Sequence, residues 1–211
     1  MTLTQRFLRA KHWQLFLLTF GIPMIFQFVM MGTMFANIGN QTQPDPTAFL
    51  FIFPLMMIVF TGTFFGWFWS IAMGLQYKVP ANVKMKTGKF KVFFFTQLVY
   101  MLLIFIGMGI MMAGLSNTLE GGQQPDPGIV FGSIAVILPL HLFSMFCMFY
   151  CLYFVAKTFK TVELQREVTF SDFAGEFFMI WFFPIGIWII QPKVNKMVDG
   201  SPGLLIDQPA N

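Results

Sequence analysis

The sequence predicts an all-α fold: a polytopic transmembrane helical bundle of about five membrane segments, with an internal parallel two-helix repeat. Composition is the first reason. Hydrophobic residues make up 56% of the 211 and charged residues 10%, with a mean hydropathy of +0.70, whereas soluble domains carry about 25% charged residues. The second is a succession of apolar runs, most of them longer than the roughly 20 residues needed to cross the hydrocarbon. The third is the placement of Lys and Arg, which occupy alternate loops and leave the others bare.

Residues 1–12 hold Arg6, Arg9 and Lys11, with Leu3, Phe7 and Leu8 on one helical face. That pattern suits a short interfacial helix on the cytoplasmic side. The first apolar run, 13–35, is long enough to span a bilayer. It lacks the short apolar region and the small-residue cleavage site of a signal peptide, so an uncleaved anchor is expected.

Runs 48–75, 92–115 and 129–156 follow. The first and last of these three exceed a straight crossing and must tilt, kink or protrude. Pro54 and Pro139 are the natural kink points. The fifth segment, 173–190, differs from the rest. Only its later part, Phe177 to Ile190, is free of charge, and Pro184 and Gly186 interrupt it. A tilted full span is the favoured reading of it, with a re-entrant bend at Pro184–Gly186 as the alternative. The membrane domain then covers 13–192 and a polar tail 193–211, whose last residues, Asp199 to Asn211, are expected to be unstructured.

Loop charge sets orientation. The amino-terminal segment has three cations, and 76–91 has five lysines and no acid. Segment 157–172 mixes Lys157, Lys160 and Arg166 with Glu163, Glu167 and Asp172. The remaining two loops contain no Lys or Arg. The positive-inside rule places the first three segments and the amino terminus in the cytoplasm. The net charge of +4 is therefore a membrane signal and not a nucleic-acid one.

Gln43-Pro-Asp-Pro46 recurs as Gln124-Pro-Asp-Pro127, two apolar runs further on. Runs two and three thus correspond to runs four and five. Because two crossings separate the copies, the repeat is parallel. Asp45 and Asp126 read as N-caps, with Pro46 and Pro127 in the first helical turn where no N–H is needed. An external ligand site built from both motifs is the sharper but less economical reading.

His141 is the one titratable side chain in the middle of a run, and ionisable groups at that depth mark functional sites. Ser144, Cys147 and Cys151 follow it. On a helix His141 stands about 120° from Cys147, which is a poor tetrahedral metal site. A neutral histidine bonded to a neighbouring helix, with the cysteines as small hydrophobes, is the plainer account. Glu176 opens the fifth segment, one turn after Asp172. A proton or cation role is the sharper reading of it, but a carboxylate at the interface costs little, and Ser171-Asp172 reads as an N-cap. Met30/Met34 and Met108/Met112 stand at helical spacing and could suit Cu(I). With 17 methionines in the sequence, lipid-phase packing accounts for them. Gly62/Gly66 and Gly128/Gly132 are small-xxx-small motifs that allow close helix contact.

There is no metalloprotease HExxH, no P-loop, no Gly-x-Ser-x-Gly and no Asp pair inside a run. Enzymatic activity, a cofactor and a metal are not expected.

The stretch Val162–Phe178, continuing through Trp181-Phe-Phe-Pro-Ile-Gly-Ile-Trp188 to Gln191-Pro-Lys-Val-Asn195, resembles the carboxy-terminal part of small polytopic membrane proteins of Bacteroidota. That resemblance implies a bacterial inner-membrane location and carries over no activity or site residue. The expected function is a non-enzymatic membrane subunit or scaffold, with a small homo-oligomeric carrier or channel as the alternative. Its expected partners are the lipid bilayer and another protein or a second copy of itself, without nucleic acid.

Overall fold

A computed structural model describes residues 1–39, 46–120 and 127–200. Helices without strands make up its regular structure: α1 (Leu3–Arg9), α2 (His12–Phe16), α3 (Ile22–Gly39), α4 (Pro46–Gly74), α5 (Thr87–Glu120), α6 (Pro127–Leu164), α7 (Phe170–Trp181) and α8 (Phe183–Asp199). Among the described residues, four stretches are long and apolar enough to cross a membrane: His12–Ala36, Leu55–Lys78, Thr87–Gly107 and Phe131–Leu164. The molecule is thus a helical membrane protein.

A π-helical turn, Leu17–Gly21, joins α2 to α3 and is closed by the Ile22 N–H on the Leu17 carbonyl. Its cause lies two residues downstream of Gly21. Pro23 has no N–H and its ring crowds the carbonyl four residues back, so one widened turn relieves the clash. Thr19, buried at this point, donates its hydroxyl to the Leu15 carbonyl at 2.6 Å.

The protein divides into two compact units, 1–85 with 154–211, and 86–153. The core of the first is aromatic. Trp67, Phe68, Phe159 and Phe173 are fully buried, and the Phe64 ring lies 4.3 Å from Phe68 and 5.0 Å from Phe183 between centroids. Helix α1 packs on α4 through two glycines. A Cβ at Gly66 would come 2.6 Å from the Phe7 ring, and one at Gly74 the same distance from Thr4. The apolar face of α1 is therefore spent inside the protein: Leu8 is buried, and Leu3 alone of the three expected apolar residues is exposed.

The fifth segment is broken in two. α7 ends and α8 begins at Phe182, whose φ of −82° and ψ of 59° belong to neither helix. The interruption expected at Pro184 and Gly186 thus falls at Phe182, two residues before Pro184. Pro184 sits in the first turn of α8, where a missing N–H costs nothing, and so starts a helix instead of bending one. Gly186 serves a different purpose: a Cβ there would overlap the Met179 carbonyl, so this glycine lets α8 fold back against α7. Helix α8 then runs on to Asp199. The beginning of the expected polar tail, 193–199, is helical, and Val194 is in the core. The expected unstructured residues beyond 200 lie outside the described residues.

Candidate functional site

The polar chemistry of the larger unit gathers where α6, α7 and α8 meet. α7 opens with a capping box that the pattern Thr169-Phe-Ser-Asp172 encodes. The Thr169 amide donates to Asp172 Oδ2 at 2.8 Å and its hydroxyl bonds the same oxygen at 3.0 Å. The N-cap is therefore Thr169, and not Ser171-Asp172 as expected. Arg166 grips Asp172 with both guanidinium nitrogens, at 2.7 and 3.3 Å. These bonds, Arg166 first and Thr169 after it, lower the Asp172 pKa to about 2.

One turn further on, Glu176 is buried within the protein, with 6% of its surface exposed. Its Oε1 lies 2.8 Å from Lys160 Nζ, which also reaches Glu163 Oε2 at 2.7 Å. Glu163 Oε1 in turn lies 3.0 Å from Lys193 Nζ. Two acids and two bases thus alternate, and the cluster is neutral. Glu176 cannot be buried charged without such a partner, because the desolvation penalty of an isolated ion is several kcal/mol. The run of contacts also fixes geometry. Lys193 on α8 returns to the same end of α6 from which α7 departs.

A second polar knot secures the amino terminus. Gln191 Oε1 accepts from Trp67 Nε1 at 2.6 Å. Its amide nitrogen donates to the carbonyls of Phe7, Leu8 and Ala10 at 3.1, 3.3 and 2.8 Å. Asn195, one turn along α8, donates to Leu8 and Ala10 at 2.9 and 3.2 Å. The last carbonyls of a helix have no intrahelical partner, so the amides of Gln191 and Asn195 close the carboxy-terminal end of α1. Lys78 Nζ bonds the Met197 carbonyl and does the same for α8.

In the smaller unit, side-chain hydrogen bonds tie α5 to α6. Ser144 donates to Gln97 Oε1 at 2.8 Å in a buried setting. Tyr100 Oη and His141 Nδ1 lie 2.8 Å apart, with His141 exposed at the helix surface. Cys147 and Cys151 are free thiols and fully buried. Among the described residues, His, Cys, Asp and Glu form no group of three or more that could hold a metal. Of the methionine pairs, Met34 is exposed, and the side chains of Met108 and Met112 lie outside the described residues.

Pro46 and Pro127 stand first in α4 and α6, while their expected caps, Asp45 and Asp126, lie outside the described residues. Glu176 and His141 belong to separate clusters. The partners Lys160, Tyr100 and Gln97 were not singled out in the sequence. The capping box could have been found from its Thr-x-x-Asp spacing. The pairings across helices leave no local signal.

No protein-family model matches the sequence, and no curated protein or solved structure matches it.

Proposed function

We propose that the protein is a non-enzymatic subunit or scaffold of the bacterial inner membrane, with its amino terminus in the cytoplasm. One observation carries this reading. The polar side chains just described are engaged within the protein, whereas the surfaces of α5 and α6 offer exposed apolar residues such as Leu102, Leu103, Ile106, Leu138 and Leu142. Such a surface is suited to lipid or to the side of another membrane helix.

Four spans and a re-entrant α7–α8 hairpin make up the membrane domain in this reading, with the hairpin's two ends on the cytoplasmic side. The Lys193–Glu163 pair supports it, because a straight fifth span would carry Lys193 away from α6. It also returns Lys193 and Lys196 to the side that the positive-inside rule prefers. The recurring Gln-Pro-Asp-Pro motif is the trace of a duplication, supported by helices that begin on Pro46 and Pro127. The inner-membrane placement rests on the Bacteroidota resemblance and the loop charges.

Purification in mild detergent followed by native mass spectrometry tests the function. A stoichiometric co-purifying membrane protein is the expected result. Solute flux through the protein reconstituted alone in liposomes would instead establish the second reading, a small homo-oligomeric carrier or channel. The Tyr100–His141 and Gln97–Ser144 bonds favour that second reading, since they place polar groups within apolar helices.

A further inference from the structure

The charge balance of the protein leaves an unanswered excess beside an apolar groove. Among the described residues, the ion pairs join Lys160, Arg166 and Lys193 to Glu163, Asp172 and Glu176. None reaches Lys86, Lys89 or Lys91, where α5 begins. Lys86, Lys89 and Lys91 are all exposed. The positive end of the helix dipole adds to this charge and does not offset it.

Directly below Lys91, a shallow open groove of about 510 Å³ runs along α5, lined by Lys91, Val92, Phe95, Thr96 and Val99. It lies between the ridge of Lys91, Phe95 and Val99 at four-residue spacing and the neighbouring row of Val92 and Thr96. Val92, Phe95 and Val99 are 65%, 53% and 56% exposed. Gly88 falls on the same face one turn above, and a Cβ there would meet nothing within 4 Å, so the mouth is open. No carboxylate lines the groove.

We propose that this groove binds an anionic phospholipid of the cytoplasmic leaflet, with the headgroup phosphate on Lys91 and one acyl tail along Val92, Phe95, Thr96 and Val99. Charge and shape agree on that occupant. The cation sits where the apolar run begins, at headgroup depth, and the apolar residues continue into the hydrocarbon. A zwitterionic lipid gains less, because its ammonium finds no acid here. Lys89 projects from another side of the helix and Lys86 precedes its first turn, so they raise the local potential without touching the phosphate. This site is independent of whether the protein is a scaffold or a carrier.

Native mass spectrometry of the full-length protein, titrated with dioleoylphosphatidylglycerol or dioleoylphosphatidylcholine, tests it. The wild type should retain phosphatidylglycerol more tightly than phosphatidylcholine. Lys91→Gln should weaken phosphatidylglycerol about fivefold, Lys89→Gln should do so less, and Lys91→Arg should restore it. Val99→Trp keeps the charges and fills the groove, and should weaken both lipids. Equal retention of the two lipids by the wild type would overturn the proposal even if every variant failed to fold. Equal losses for Lys89→Gln and Lys91→Gln would reduce the site to diffuse attraction and overturn it too. So would displacement of the lipid by inorganic phosphate alone, or a protein partner cross-linked from position 95 in place of lipid.

Discussion

Glu176 Oε1 lies 2.8 Å from Lys160 Nζ, and this bond joins the carboxylate of α7 to the end of α6. Glu176→Ala removes one of the two acids that hold Lys160. It should destabilise the protein by about 1–3 kcal/mol, less than breaking an isolated buried pair, because Glu163 still holds Lys160. Thermal unfolding in detergent measures it. Lys160→Met with Glu176→Met should recover most of the loss, and a double variant as unstable as the single one would refute the ion-pair account.

Two glycines offer a matched comparison. A Cβ at Gly186 would overlap the Met179 backbone, whereas one at Gly62 would meet nothing within 4 Å. Gly186→Ala should prevent α8 from closing on α7 and lower the yield of folded protein. Gly62→Ala should be neutral or stabilising by up to about 1 kcal/mol, from helix propensity. Folded yield by size-exclusion chromatography decides it, and a well-folded Gly186→Ala would contradict the close approach.

Gln191→Leu removes the partner of the buried Trp67 N–H and the cap of α1. An unsatisfied buried donor costs about 1–3 kcal/mol, so α1 should loosen from α4 before the rest of the protein unfolds. Limited trypsin digestion at Arg6 and Arg9 reads this directly: cleavage should be faster in the variant. Asn195→Ala should have a smaller effect, because Gln191 still serves the same carbonyls at Leu8 and Ala10.

Asp172 supplies the pH dependence. Its pKa is lowered from an ordinary 3.8 to about 2, by Arg166 first and then by Thr169. A depressed folded value means that the unfolded state binds the proton more readily. The contribution of Asp172 is therefore complete above about pH 4 and is lost as pH falls through about 2. A carboxyl NMR titration should place its midpoint near the lower value, and Arg166→Ala should move it upward. A wild-type midpoint at the ordinary value would show that the Arg166 and Thr169 bonds do not persist in solution.

The hairpin reading predicts the side of α8. Cys147 and Cys151 are buried and free, so a background with both replaced by Ala leaves a clean reporter. Lys196→Cys, at an exposed position, should react with an impermeant maleimide from the same face as Lys84→Cys. Labelling of the two from opposite faces would restore a full fifth span.

The membrane class, the long apolar runs and the loop charges were legible before any coordinates, because each depends on local composition and on the fixed thickness of a bilayer. The starts of α4 and α6 at Pro46 and Pro127 were legible for the same reason, since a missing N–H is harmless in a first helical turn. The environment of Glu176 was not. As a residue near a helix start it reads as an interfacial carboxylate, and it becomes a buried ion pair only because Lys160, 16 residues earlier, is brought beside it. Gln191 was equally silent: its Trp67 partner is 124 residues away and its α1 carbonyls more than 180. The break at Phe182 is an intermediate case. Pro184 announces an interruption locally, but its position and the return of α8 depend on Gly186 meeting the Met179 backbone. Hydropathy is a property of a segment, whereas hydrogen bonds and close approaches are properties of pairs, and folding chooses the pairs.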